Sequence, residues 1–187
     1  MVIAMNEVFY DTDLKSRSAL ITRQKAGQYE WETPKALYDT LDEEFRFTLD
    51  PCATQGNAKC TQYFTPEING LSQNWGRNIV FMNPPYGRTI SQWVKKAYSA
   101  SLLGATVVCL LPARTDTSWW WDYCMKGEIR FIRGRVKFEG RNTKGVLVKY
   151  PATFSSAIVI FRKSIEINER YCEIAAKRCS QEVMELV

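Results

Sequence analysis

The stretch NIVFMNPPYG, residues 78–87, decides the fold. Its first part, IVFM, is a short continuous apolar run, which is typical of a strand buried on both faces. Pro84 and Pro85 cannot continue a strand ladder, because proline has no backbone N–H. In open α/β sheets, ligands bind beyond the carboxyl ends of the strands. The sequence therefore predicts that Asn83, the two prolines and Tyr86 form a loop at the ligand-binding edge of a sheet.

The residues before this stretch predict a helix and a strand. TPKALYDTLDEEF predicts a helix that is capped by Thr33 and has Pro34 at its first helical position. The apolar stripe of this helix comprises Leu37, Leu41 and Phe45. FRFTLD predicts a short strand that ends in the loop DPCATQGN. Residues 1–28 are polar and weakly patterned, so we expect a loose N-terminal arm.

The residues after it continue an alternation of helices and strands. ISQWVKKAYSASLL predicts a helix, ATVVCLLP and SAIVIF predict buried strands, and EIRFIRGRVKFEG predicts one strand or a hairpin. The apolar side of the helix is predicted to comprise Ile90, Trp93, Val94, Ala97 and Leu102. DTSWWWDYCMK predicts a short helix with two tryptophans in the core and one exposed, and residues 165–187 predict a C-terminal helix. This order indicates a single α/β domain at 29–187 with a mostly parallel sheet.

Composition excludes several classes of protein. Of the 187 residues, 45% are hydrophobic and 24% charged, as in soluble globular proteins. There is no apolar run of about 20 residues and no basic start followed by an apolar core, so we expect a cytoplasmic protein. The six cysteines form no C-x-x-C pair, which argues against a metal site. The chain has no histidine, so a Ser-His-Asp triad is excluded.

The positive charge is concentrated in one segment. Residues 113–149 contain nine Lys/Arg and four Asp/Glu, which accounts for the whole net charge of +5. A localised basic segment favours a polyanionic partner, although a solvated basic surface gives the same pattern.

The residue types of Asn-Pro-Pro-Tyr suit a substrate with an NH2 group. The prolines stiffen the loop and remove two donors, which leaves the Asn83 side-chain oxygen and the Pro84 carbonyl as acceptors. The ring of Tyr86 offers a face on which a flat substrate can stack. A proline-terminated strand with a packed tyrosine is the alternative structural interpretation.

These motifs resemble a known family. [DNS]-P-P-[YFW] after a buried strand is the catalytic motif of amino-group methyltransferases that use S-adenosyl-L-methionine. Together with WETP, LDPCA, NGL, LPARTDT and SAIVIF in this order, it resembles the phage-type, Dam-like DNA N6-adenine methyltransferases over residues 30–163. The resemblance implies a Rossmann-like fold, base flipping in double-stranded DNA, and a catalytic set of Asn83, Pro84, Pro85 and Tyr86. It also implies a bacterial or phage-infected host cell.

The resemblance also implies which residues bind the cofactor and the DNA. For the cofactor they are Trp31, Thr33, Pro34, Asp50, Cys52, Ala53 and Asn69, with the Asp50 carboxylate holding the methionine ammonium. The segment at 113–150 is the expected DNA-contacting insertion. The candidate DNA-binding residues are Arg88, Arg114, Asp116, Arg133, Arg135, Lys137, Arg141 and Lys144.

Three alternatives remain open at this level. The same loop is found in enzymes that methylate a glutamine side-chain amide. The exocyclic amine of cytosine is another group that accepts a methyl group by the same chemistry. A non-catalytic DNA-binding module with this fold would bind no cofactor.

Overall fold

The structure of the protein is a computed structural model that describes residues 32–141 and 147–163, with side chains at 32–140 and 148–163. The predicted N-terminal arm, Trp31, Lys144 and the predicted C-terminal helix lie outside the described residues. Arg141 is described by its backbone only.

The described residues form three α-helices and eight strands. The helices are α1 (Lys35–Phe45), α2 (Ile90–Leu102) and α3 (Ser118–Asp122), and a 3-10 turn follows at Cys124–Lys126. The strands are β1 (Leu49–Asp50), β2 (Gln62–Tyr63), β3 (Ile79–Met82), β4 (Thr106–Pro112), β5 (Glu128–Phe131), β6 (Lys137–Arg141), β7 (Leu147–Pro151) and β8 (Ser156–Phe161). None of the described helices is long and apolar enough to cross a membrane.

Within the described residues, six strands form one sheet in the order β2-β1-β3-β4-β8-β5. The pairs β1–β2, β1–β3 and β3–β4 are parallel, whereas β8 runs antiparallel to both β4 and β5. The prediction of an α/β fold with a mostly parallel sheet flanked by helices is confirmed. β6 and β7 form a separate antiparallel pair.

Both faces of the large sheet are covered, which explains its continuous apolar strands. One face packs Val80, Val107 and Val159 against α2 and α3. The other face packs Phe81 and Val108, with their neighbours, against α1 and the β6–β7 pair. Successive residues of a strand point to opposite faces, so every position needs an apolar side chain.

Three predictions about local structure were wrong. α1 begins at Lys35, with Pro34 at the N-cap and no side-chain capping bond, so Thr33 does not cap it. Leu102 is exposed and Ser101 is buried instead, because position 101, eleven residues after Ile90, returns to the same helical face. EIRFIRGRVKFEG forms neither one strand nor a hairpin: β5 joins the large sheet and β6 pairs with β7, with Gly134 at a φ of 83° between them.

The prediction for the three tryptophans is confirmed. Trp119 and Trp120 are buried, and Trp121 is 62% exposed.

Candidate active site at the carboxyl edge of the sheet

Three segments of the predicted site lie at one edge of the sheet. Leu49 of β1 pairs with Val80 of β3, and Met82 of β3 pairs with Cys109 of β4, all in parallel register. The residues that follow these three strands are therefore brought to the same edge. These residues are the loop after Asp50, the Asn-Pro-Pro-Tyr loop, and the Ala113–Arg114 turn.

Asn83 is held by a residue from the start of the described chain. Its Nδ2 donates a hydrogen bond of 3.1 Å to the Oγ1 of Thr33, whose side chain is 2% exposed. The adjacent Glu32 pairs with Glu139 of β6 through two backbone hydrogen bonds, of 2.7 and 3.0 Å. The structure thus places a predicted cofactor residue, Thr33, directly against a predicted catalytic residue.

Tyr86 is anchored at both ends of its side chain. Its hydroxyl donates to the Leu110 carbonyl of β4 at 3.1 Å. Its ring meets the rings of Phe138 and Phe154 nearly edge-on, with centroids 6.1 and 5.4 Å away. Burial raises the pKa of the Tyr86 hydroxyl, so the group stays protonated and remains a donor. The ring is half-buried and fixed in orientation.

Asp50 is a buried carboxylate at the end of β1. Its two oxygens accept the backbone N–H groups of Cys52 at 3.1 Å and Lys59 at 3.2 Å. Burial raises the pKa of Asp50, and these two hydrogen bonds oppose the rise. The Lys59 ammonium lies 3.5 Å from the Glu32 carboxylate. No described lysine or arginine forms an ion pair with Asp50, so its charge is offset mainly by N–H groups.

The other predicted cofactor residues lie in the loops around Asp50. Ala53 is buried, and its N–H donates to the Phe64 carbonyl at 3.2 Å. Cys52 packs against the core, and burial raises the pKa of its thiol. Asn69 is exposed at a φ of 56°, and the glycine after it packs directly on the Pro51 carbonyl. Pro34 is half-buried at the start of α1.

The predicted DNA-binding side chains differ in their surroundings. Arg135 Nη1 donates to Ser155 Oγ at 3.4 Å, and the Ser155 carbonyl accepts the N–H of Ala113 at 2.8 Å. This pair of bonds brings the segment before β6 beside the end of β4. The described side chains of this predicted set are exposed, and none of them forms an ion pair with another described residue: Arg88, Arg114, Asp116, Arg133, Arg135 and Lys137.

Comparison with known proteins identifies the family of the chain. The family model described as DNA N-6-adenine-methyltransferase (Dam) matches residues 21–184. This chain belongs to that family. The family resemblance that the motifs predicted is therefore confirmed.

Two phage relatives of the Dam family are similar over most of the chain. The DNA N-6-adenine-methyltransferase of Haemophilus phage HP1 is 34% identical over 126 residues, covering 64% of this chain and 72% of that protein. The enzyme of the same name from Escherichia phage T1 is 28% identical over 144 residues, covering 63% and 60%. The putative methyltransferase YfdM of Escherichia coli K12 is 34% identical over 81 residues, or 40% of this chain and 87% of that protein.

Sequence reasoning missed several contacts in the candidate site. Phe138 and Phe154, which fix the ring of Tyr86, were not predicted as site residues. The alternation of charged and apolar residues in RVKF is a sequence signal that Phe138 faces inward, but it does not reveal the partner of its ring. The Thr33–Asn83 bond joins residues 50 positions apart, and no local pattern predicts such a pair. Among the described residues, no group of three or more His, Cys, Asp or Glu is arranged to hold a metal.

Proposed function

We propose that this chain transfers a methyl group from S-adenosyl-L-methionine to the N6 amine of adenine in double-stranded DNA, on a Rossmann-like domain at 29–187. The observation that carries the proposal is the Asn83–Tyr86 loop at the carboxyl edge of the sheet, in a chain of the DNA N-6-adenine-methyltransferase family. Its fixed amide, proline carbonyl and aromatic ring fit the amine and the plane of an adenine. DNA as the substrate places the reaction in the cytoplasm of a bacterial or phage-infected cell.

Asn83 and Pro84 would prepare the amine for attack. The N6 group of adenine has two N–H bonds, and two fixed acceptors can orient it so that its lone pair faces the methyl group. S-adenosyl-L-methionine would supply the methyl group: N6 would provide the electron pair of the new N–C bond, and the sulfur would keep the pair of the broken S–C bond as a neutral thioether. The proton then leaves N6 to solvent, because the methylated amine is acidic only while it is cationic. A chain without histidine can therefore run this reaction by positioning and electrostatics.

Tyr86 would stack on an adenine that has been flipped out of the duplex. Enzymes that act on a base inside a duplex extrude the base and hold it between aromatic or apolar groups. Tyr86 suits this task because its hydroxyl bond to Leu110 and its two phenylalanine neighbours fix the ring before the substrate arrives. A pre-oriented ring loses little conformational freedom on binding.

The residues around Asp50 fit S-adenosyl-L-methionine. The cofactor supplies a methyl group on a positively charged sulfur, and its methionine part carries an ammonium. Asp50 is buried and has no described ion-pair partner, so an ammonium beside it would offset the desolvation of its charge. Thr33, Pro34, Cys52, Ala53 and Asn69 lie on the segments around it, and Trp31 precedes them in the chain.

The exposed cations would hold the DNA backbone. Lysine and arginine side chains bind phosphates without reading sequence, and they steer the duplex toward the site. Arg133, Arg135 and Lys137 precede or begin β6, and Arg135 reaches the residue that bonds to the end of β4. We assign the same role to Arg88, Arg114, Arg141 and Lys144, and place Asp116 at the rim of the target pocket.

One assay tests the reaction as a whole. The protein is incubated with S-adenosyl-L-methionine carrying a labelled methyl group and unmethylated duplex DNA, and the DNA is digested to nucleosides. We expect the label in N6-methyl-2′-deoxyadenosine. Label in protein would favour the glutamine amide alternative. Label in N4-methyl-2′-deoxycytidine would make cytosine the acceptor, and no label would contradict an enzymatic role.

Asn83→Ala tests the catalytic assignment. The variant loses the side-chain acceptor, so transfer should fall below about one thousandth of the wild-type rate, while DNA affinity stays within about twofold. Single-turnover rates and fluorescence anisotropy with a labelled duplex measure the two quantities. Asn74→Ala, which changes an exposed asparagine of the turn before β3, is the matched control. Substantial transfer by Asn83→Ala would contradict the assigned role.

A further inference from the structure

We propose that Lys59 is a cofactor-binding residue, whose ammonium binds the carboxylate of the methionine part of S-adenosyl-L-methionine beside Asp50. The inference rests on the proposed function, because it extends the cofactor site that we place around Asp50. Lys59 is not among the cofactor residues that the motif resemblance implies.

The backbone of Lys59 is fixed next to Asp50. Its N–H donates to Oδ2 of Asp50 at 3.2 Å, and its carbonyl accepts the hydroxyl of Tyr38 in α1 at 2.9 Å. Burial raises the pKa of Asp50, and the backbone N–H groups of Cys52 and Lys59 and the positive charge of Lys59 oppose that rise. The Lys59 ammonium therefore acts on the Asp50 carboxylate without forming an ion pair with it.

The side chain of Lys59 is withdrawn from water. It is 21% exposed, whereas the side chain of Lys35 is 80% exposed. Its ammonium lies 3.5 Å from the carboxylate of Glu32, whose side chain is 27% exposed. A lysine held in this way loses side-chain entropy and part of its hydration, which one long ion pair offsets only in part. An ammonium has three N–H donors, so Lys59 has the capacity to bind a second carboxylate.

The charges of this cluster are complementary to those of the cofactor. Glu32, Asp50 and Lys59 comprise two carboxylates and one ammonium, which leaves one negative charge uncompensated among the three side chains. S-adenosyl-L-methionine has a sulfonium, an ammonium and a carboxylate, which leaves one positive charge. Its ammonium and carboxylate are attached to the same carbon, and the neighbouring Asp50 and Lys59 offer each of them a group of opposite charge. Such complementarity favours one orientation of the bound molecule.

The segment that contacts Lys59 also contacts the candidate catalytic loop. Glu32, the ion-pair partner of Lys59, directly precedes Thr33. The side chains of Thr33 and Asn83 are hydrogen-bonded at 3.1 Å. Lys59 is thus connected through one short segment to the loop that would hold the substrate amine, as a site that brings cofactor and acceptor together requires.

The decarboxylated form of S-adenosyl-L-methionine tests the inference, because it keeps the sulfonium and the amine but lacks the carboxylate. Calorimetric titration in the absence of DNA measures the Kd of both compounds, so the test does not depend on methyl transfer. We expect the wild type to bind S-adenosyl-L-methionine about ten- to one hundredfold more tightly than the decarboxylated form, the range for hydrogen bonds to charged groups. Equal binding of the two compounds by the wild type would overturn the inference and leave the proposed function standing.

Lys59→Gln and Glu32→Gln assign the preference to one residue. Lys59→Gln removes the ammonium, so the preference for S-adenosyl-L-methionine over its decarboxylated form should shrink to less than about threefold. Glu32→Gln breaks the same ion pair but keeps the ammonium, so it should retain most of the preference. Lys95→Gln, which changes an exposed lysine of α2, is the matched control and should bind both compounds as the wild type does. Thermal melting of each variant checks that a lost preference does not reflect unfolded protein.

The remaining outcomes separate the inference from its alternatives. An undiminished preference in Lys59→Gln would overturn the inference. An equal loss in Lys59→Gln and Glu32→Gln would also overturn it, because the ion pair rather than the ammonium would then account for the effect. The wild-type comparison needs no variant, so it tests the inference even where Lys59→Gln does not fold. A wild type that binds neither compound would overturn the proposed function and this inference together.

Discussion

Trp119, Trp120 and Trp121 show how one short helix gives identical side chains different roles. Successive residues of a helix are about 100° apart, so three of them cannot share one face. Trp119 and Trp120 enter the core beneath the large sheet. Trp121 stays 62% exposed, but its indole N–H donates to the Thr115 carbonyl at 2.9 Å, in the turn after β4. An exposed and fixed aromatic beside the candidate site is suited to stacking on a nucleic-acid base.

Trp121→Ala should therefore weaken DNA binding without unfolding the protein. We expect about a tenfold loss of affinity, since stacking of one base contributes roughly 1–3 kcal/mol, and little change in melting temperature. Trp120→Ala is the matched comparison: it empties a large volume in the core and should lower stability by about 3–5 kcal/mol. Anisotropy titrations and urea unfolding measure the two effects. Unchanged DNA affinity in Trp121→Ala would remove this residue from the interface.

The strands that are buried on both faces are the elements that the sequence predicts best. β3, β4 and β8 each need apolar residues at every position, so their sequences are continuous apolar runs. The run in β8 carries no sign of direction, and its antiparallel course comes from pairing with β4. β7, LVKYP, was not predicted, because its strand character depends on pairing with β6. The Thr-Pro pair predicts a helix cap at Thr33 because it suits a helix start, whereas the Thr33 hydroxyl bonds to Asn83.

The short strand β1 depends on a close approach to Gly70. A Cβ atom at position 70 would overlap the carbonyl oxygen of Pro51, which directly follows β1. A side chain there must displace the backbone that carries Asp50. The position of the residues after β1 therefore depends on the turn that contains Gly70, some twenty residues later in the chain.

Gly70→Ala should destabilise the protein and impair cofactor binding together. Overpacking of this kind costs about 1–3 kcal/mol, and the shift of the Asp50 loop should weaken binding of S-adenosyl-L-methionine. Gly56→Ala is the control, since a Cβ there meets only Thr54 Oγ1 at 3.9 Å and the backbone φ is ordinary. Urea unfolding and calorimetric titration with the cofactor measure both quantities. Wild-type stability in Gly70→Ala would show that the loop adjusts freely.

At the scale of the whole molecule, the structure divides the basic segment into two groups. Arg130 bonds to the carboxylates of Glu44 and Glu128, both at 2.6 Å. Lys149 lies 3.2 Å from the Glu139 carboxylate across the β6–β7 pair. Arg133, Arg135 and Lys137 have no acidic partner among the described residues. Charge counting predicted a basic segment, but it could not distinguish compensated cations from free ones, because Glu44 is 86 residues from Arg130.

This division predicts which cations set the salt dependence of DNA binding. Each lysine or arginine that contacts a phosphate releases condensed counterions, and the slope of log K against log salt changes by about 0.9 for each contact. Replacing Arg133, Arg135 and Lys137 together by glutamine should therefore flatten the slope by about 2 to 3. Arg130→Gln should leave the slope unchanged, since that charge is already matched by two carboxylates of the protein. Binding constants between about 50 and 200 mM salt measure the slope. Equal slopes for the wild type and the triple variant would show that the DNA binds to another surface. A flatter slope for Arg130→Gln would show that the ion pairs of Arg130 open when DNA binds.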